Sequence, residues 1–249
     1  MYLLIFSYLI IGLVIGSFLN VCIYRLPIGM SLVSPPSRCS SCGTRLGFLD
    51  LIPVFSYLYS GGKCRHCGVK YGFRYPLIEL LTGILFVITG FFKLPGIPLV
   101  LLWICISLLI IITFIDIDHQ IIMDRIQILL LIFSSLYVYL TTTKYLDHLF
   151  GCVLAGGIML TIYLISKGGM GAGDVKLSFV LGLWLGLKGA IVCLMLAFIL
   201  GGIVGMLLLI FKIKSRKDAI PFGPYLCLGA FVSLIFEPYI IYWYWSLFI

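Results

Sequence analysis

The stretch LIIITFIDIDHQIIMD, residues 109–124, decides how the chain is to be read. An apolar run passes without any turn signal into Asp116, Asp118 and, a few residues on, Asp124. Ionisable groups at the edge of a hydrocarbon-grade helix are costly to place there, which makes them functional candidates by default. The first question is whether the rest of the chain is also built for lipid.

It is. Of 249 residues, 62% are hydrophobic and 10% are charged, against about 25% charged in a soluble domain. Crossing the hydrocarbon takes roughly 20 mainly apolar residues. The apolar runs predict an all-α polytopic membrane protein of about eight transmembrane helices, at 2–22, 77–92, 97–115, 126–140, 148–165, 175–187, 190–211 and 221–244. The sixth is the shortest for a crossing, since a helix rises only ~1.5 Å per residue.

The net charge of +8 raises the possibility of a nucleic-acid partner. The placement of the charges excludes it. In an eight-helix topology all of the 17 basic side chains except Lys93, Lys144 and Lys188 fall in alternate loops. That asymmetry is the positive-inside pattern. It predicts both termini outside, with residues 23–76 and the aspartate-bearing helix ends in the cytoplasm. No basic residue precedes the first apolar run, as a cleavable signal would require, so the run is expected to stay as an N-out helix.

The nine cysteines divide into two classes. Cys22, Cys105, Cys152, Cys193 and Cys227 sit in apolar runs, where a lone thiol behaves as a small hydrophobe. Cys39, Cys42, Cys64 and Cys67 instead form two C-x2-C pairs with 21 residues between them. In a reducing compartment this spacing points to a closed tetrahedral four-sulfur zinc site. A redox pair or four free thiols would explain the double spacing poorly, and His66 reads as a surface residue. Between the pairs lies GFLDLIPVFSYLYSGG, residues 47–62. It is too short and too interrupted to span, and is expected to pack on the bilayer surface or on the helix bundle.

Nine acidic residues remain to be sorted. Asp50, Asp147, Asp218 and Glu237 fall in loops or near helix ends, where solvation is explanation enough. Asp116 closes the third helix, and GGMGAGDVKLSF, residues 168–179, places Asp174 just after a glycine-rich bend at the start of the sixth. Both fall on the same side at similar depth, so the two can meet. Paired carboxylates share a proton, and so divide acid and base roles as in an aspartic protease. Gly171 and Gly173 would let a substrate backbone approach closely. Asp118 lies about 200° from Asp116 on a helix, so only one of them can face Asp174.

Six motifs in order, GSFLNVCIYRLP at 16–27, CSSC at 39–42, CRHC at 64–67, RYPLIELLTG at 74–83, FIDIDHQIIMD at 114–124 and GMGAGD at 169–174, resemble those of the type IV prepilin peptidases, membrane aspartic proteases of the G-x-G-D type. The resemblance covers nearly the whole chain, with one departure at Met123, where that family usually carries proline. It implies a multi-pass enzyme of the bacterial inner membrane, serving type IV pilus, type II secretion or competence systems. Such an enzyme removes the leader of prepilins or pseudopilins after a Gly on the cytoplasmic face, then methylates the new N-terminus with S-adenosylmethionine. Carried over, Asp116 and Asp174 are the catalytic pair, with Asp118 the alternative for the first. Gly16, Ser17, Asn20 and Glu79 are candidates for methyl transfer, against a reading of those residues as helix packing and interhelical hydrogen bonding. The division expected is 1–75, a first helix plus cysteine module carrying methyl transfer, and 76–249, the peptidase core. Rival readings are a transporter with a carboxylate relay and a non-enzymatic assembly factor. The oligomeric state is left open.

Overall fold

Hydrocarbon offers no partner to backbone N–H and C=O groups, so a lipid-spanning segment must satisfy them internally as helix. The computed structural model describes residues 2–93, 95–166, 169–215 and 220–246; Lys167, Arg216, Lys217 and Asp218 lie outside them. Among the described residues the chain forms α1 (Tyr2–Arg25), a 3-10 turn (Phe48–Leu51), α2 (Phe55–Ser60), α3 (Arg74–Phe92), α4 (Ile97–His119), α5 (Asp124–Thr141), α6 (Tyr145–Ser166), α7 (Ala172–Ile210) and α8 (Gly223–Ser246). Among the described residues there is no strand, only isolated bridges pairing Arg38 with Arg45 and Lys63 with Lys70. Seven of the helices are long and apolar enough to cross a membrane.

Contacts divide the chain into two compact units, Met1–Leu99 and Val100–Ile249. The sequence expectation drew its line at 75/76, but α3 belongs with α1 because the two are packed backbone to backbone. A Cβ on Gly12 would lie 2.6 Å from the Cα of Gly83, and one on Gly16 would lie 2.7 Å from the Cα of Glu79. Small residues allow this approach, which replaces a hydrophobic driving force that lipid cannot supply. The pairing of 12 with 83 and 16 with 79 makes the helices antiparallel.

In the second unit α7 packs on α5, α6 and α8. The sequence predicts two helices where the structure has the 39-residue α7. Its continuity is interrupted at Gly186, whose φ of 75° and ψ of 177° are not helical. The limb before Gly186 runs antiparallel to α6, with Gly182 against Gly151 and Phe179 against Gly156. The limb after it runs antiparallel to α8: Ser233 Oγ donates to the Gly189 carbonyl at 2.8 Å, and Gly201 meets Phe222 and Tyr225. Ser178 and Leu181 of one limb share a crevice with Cys193 and Leu194 of the other. In a straight helix Ser178 and Leu194 would be ~24 Å apart, so α7 folds back on itself and contributes two segments. Together with the other six spans this gives the eight segments read from the sequence.

The reversal is held from α6. Asp147 Oδ2 accepts a hydrogen bond from the Leu187 N–H at 3.2 Å, and His148 Nδ1 lies 2.9 Å from the Leu183 carbonyl oxygen. Asp147, which the sequence leaves as an ordinary loop acid, thus caps the second limb. Gly186 occupies a backbone region essentially closed to other residues, and a Cβ there would sit 2.5 Å from Asp147 Oδ2. Gly186→Ala is therefore expected to destabilise the second unit by about 1–3 kcal/mol or more, read as a lowered Tm in detergent.

Candidate active site and metal centre

Two buried carboxylates meet at one end of the second unit. Asp116, in the last turn of α4, is 4% exposed, and Asp174, in the first turn of α7, is 8% exposed. They lie close enough for their charges to interact. Asp116 Oδ2 accepts a hydrogen bond from the Gly223 N–H, the first residue of α8, at 3.0 Å. Asp174 Oδ1 is buried without a hydrogen-bond partner. A buried polar atom left unpaired is uncommon enough to mark a site prepared for something else.

Around the pair the backbone is kept bare. A side chain at Gly171 would lie 3.1 Å from Asp174 Oδ2, and one at Gly223 would lie 2.7 Å from Asp116 Oδ2. Gly173 packs on Ile122, whose side chain would also meet a Cβ on Gly223 at 3.2 Å. Ile122 therefore sits between the starts of α7 and α8. Met123 follows it as the N-cap of α5, extended with φ −71°, a value within the range proline imposes. The backbone thus takes the shape that the family's proline would hold.

The other acids of the two motifs fall elsewhere. Asp118 is exposed on the far side of α4, as its helical angle requires. Asp124 is exposed and forms a two-pronged ion pair with Lys176 Nζ at 2.8 and 2.9 Å. Gly223 and Ile122 were not singled out by the sequence reading. The signal available was the Gly-Pro at 223–224 opening an apolar run, a common helix start.

In the first unit Gly16, Ser17, Asn20 and Glu79 gather at the α1–α3 seam, engaged with one another and with the backbone. Asn20 Nδ2 donates to the carbonyls of Gly16 at 3.3 Å and Tyr75 at 3.1 Å. Glu79 is hydrogen-bonded by Ser17, and its Oε2 accepts from the Val54 N–H at 2.7 Å. Val54 has φ 62°, an outlier for a β-branched residue, and the carboxylate helps to hold it there.

The four loop cysteines converge: their Sγ atoms all lie within 4.8 Å of one another. Cys39 and Cys67 are 3.8 Å apart, and Cys42 and Cys64 are 4.0 Å apart. Disulfides would need ~2.05 Å, whereas four sulfurs ~2.3 Å from a tetrahedral metal stand ~3.8 Å from each other. The two halves are built alike. Cys39 N–H bonds the Thr44 carbonyl and Cys64 N–H the Val69 carbonyl, both at 2.9 Å, and Gly43 and Gly68 follow with φ of 71° and 72°. That repeat is visible in RCSSCGTR and KCRHCGVK, beyond the C-x2-C spacing alone. The Thr44 hydroxyl and N–H lower the Cys42 thiol to about 6, and backbone N–H groups of Cys67 and His66 lower that of Cys64. Those two changes favour thiolates, while the neighbouring cysteines help to push the Cys67 thiol up to about 11, so it is the convergence of the four sulfurs that points to a metal. His66 is exposed and outside the cluster.

Residues 10–92 match the bacterial peptidase A24 N-terminal domain, and residues 103–206 match the type IV leader peptidase family. No solved structure matches the chain. A prepilin leader peptidase/N-methyltransferase of Aeromonas salmonicida is 33% identical, across 94% of this chain and 91% of that protein. Proteins of the same name from Legionella pneumophila, 32% identical over 96% of this chain and 94% of theirs, and from Bacillus subtilis, 31% over 94% and 95%, are similar along their length. Likeness of this extent, with the aspartates and thiols gathered as described, means that this multi-pass membrane chain belongs to the type IV leader peptidase family.

Proposed function

We propose that the chain is a membrane aspartic endopeptidase that removes the leader of type IV prepilins or pseudopilins and carries an N-methyltransferase activity. The observation that carries the peptidase reading is the buried, mutually interacting pair Asp116 and Asp174, with Asp174 Oδ1 unpaired. Of two paired carboxyls, one ionises and the other keeps its proton. The ionised one takes a proton from water as the water oxygen attacks the scissile carbonyl carbon, and its partner donates to the carbonyl oxygen. Collapse of the tetrahedral adduct breaks the C–N bond; the proton gained by the base goes to the leaving amine, and the proton on the former carbonyl oxygen returns to the carboxyl that donated it. Gly171, Gly173 and Gly223 keep room for the substrate backbone beside the carboxyls. The charge asymmetry supports an active site and cysteine module on the cytoplasmic face of the inner membrane. Co-expression with a prepilin, followed by mass analysis of its N-terminus, tests the reading: loss of the leader and gain of a methyl group are separate mass changes.

The donor set of Cys39, Cys42, Cys64 and Cys67 fits Zn²⁺, which would fill all four positions and act structurally, with no site open for water. About one zinc per chain is expected, and Cys39→Ser or Cys64→Ser should lower zinc content and order in residues 38–70 together. A wild type free of metal but fully active would count against this. Gly16, Ser17, Asn20 and Glu79 fit S-adenosylmethionine less well. The space beside Gly16 is filled by α3, and the amide of Asn20 and the Glu79 carboxylate are already engaged. Interhelical packing explains these four residues better than a cradle for a methyl donor.

A further inference from the structure

Residues 48–59 carry six large apolar side chains that the first unit leaves uncovered: Phe48, Leu49, Leu51, Phe55, Leu58 and Tyr59. Phe48 is 82% exposed, Phe55 72% and Tyr59 80%. The arrangement is two-faced. On α2, Phe55, Leu58 and Tyr59 stand at i, i+3 and i+4, one helical face. The opposite face is taken by Tyr57, whose ring meets Tyr71 edge-on at 5.4 Å and Phe73 at 6.1 Å. The segment is thus docked inward through Tyr57 and displays its other face. In water such a patch, flanked by two polar metal-binding turns, would be unfavourable.

Its height relative to the membrane helices identifies what covers it. The Val54 N–H, at the start of α2, is bonded to Glu79, which lies five residues into α3. At ~1.5 Å per residue this draws α2 about 7.5 Å below the first residue of α3. The start of α2 therefore sits beside the membrane-spanning part of α3 and not beyond its end. Over the same height α3 itself exposes Leu77, Leu80 and Ile84, so the patch lies level with a lipid-facing surface. Tyr59 marks the polar border of the apolar zone: the Arg65 guanidinium, paired with Asp50 at 3.1 Å, lies 4.9 Å from its ring centre, and tyrosines are enriched at headgroup level. The turns on either side expose Arg38, Arg45, Lys63 and Lys70, the charge that an anionic leaflet attracts.

We infer that residues 48–59 form an interfacial wedge inserted among the acyl chains of the same leaflet that α3 enters, so that the four-thiol module is anchored to the bilayer from below and by anionic headgroups at its sides.

The test uses the full-length protein in liposomes of phosphatidylethanolamine and phosphatidylglycerol containing a phospholipid with a diazirine on its acyl chain, followed by illumination and peptide mapping. Residues 48–59 should take at least about threefold more label than the equally exposed turn at 40–45. Phe55→Ser/Leu58→Ser/Tyr59→Ser should lose that label while keeping its metal content; if this variant fails to fold, the wild-type comparison decides alone. Label in 48–59 no higher than in 40–45 would overturn insertion, as would label obtained only from a headgroup diazirine. Label abolished by a saturating prepilin peptide would also overturn it, since the occupant would then be substrate.

Discussion

Asp116→Asn and Asp174→Asn are each expected to lower prepilin cleavage by at least about a thousandfold, with the double variant scarcely worse than either single one. The substitution keeps size and polarity and removes the ability to share a proton. Groups that act as one unit lose nearly everything when either is removed, so their effects do not add. The site leaves no substitute. Asp118 is exposed on another side of α4, and Asp124 is held by Lys176, so neither can take over the vacant role. Asp118→Asn is accordingly expected to cleave at near wild-type rate. Inactivity of Asp118→Asn beside an active Asp116→Asn would transfer the first position to Asp118. Near wild-type cleavage by both Asp116→Asn and Asp174→Asn, in folded protein, would end the aspartic-protease reading.

The same variants separate the two activities. Methyl transfer to an amine needs no activated water, and the carboxyl pair that would activate one lies wholly in Val100–Ile249. Methylation of a pilin supplied already cleaved is therefore expected to persist in Asp174→Asn. A folded variant that loses both would refute separate sites.

What could be read from the sequence was whatever depends on local pattern. Lipid demands continuous apolar runs, so the spans were visible as runs. The thiol spacing reports how two turns present four sulfurs to one point, so the cluster was visible too. Asp116 and Asp174 could be matched because membrane topology converts sequence order into depth. Hidden features were those set by approach between distant segments. Nothing local says that Gly223, more than a hundred residues away, donates to Asp116. Nor does anything local say that Glu79 reaches the backbone of Val54, since both depend on how helices pack. The reversal in α7 lies between these cases: two apolar runs parted by Lys188 and Gly189 suggested two helices, but the cap that makes the turn comes from Asp147 on α6.

Gly223 gives the second large effect. Its N–H is the donor that fixes Asp116 Oδ2, and a methyl group in place of its hydrogen would lie 2.7 Å from that oxygen and 3.2 Å from Ile122 Cδ1. Asp116 stands on a buried helix end and Ile122 is packed against Gly173, so the strain falls on the carboxylate, which must leave its present position. A displacement of about 1 Å in a catalytic group can cost on the order of a hundredfold in rate. Gly223→Ala is therefore expected to lower kcat/KM for cleavage by about a hundredfold. Gly202→Ala serves as the control: a Cβ there meets nothing within 4 Å, and its cleavage rate should match wild type. A Gly223→Ala enzyme that cleaves normally would mean that Asp116 does not need its present orientation, and so that the hydrogen bond from α8 is a feature of packing and not of catalysis.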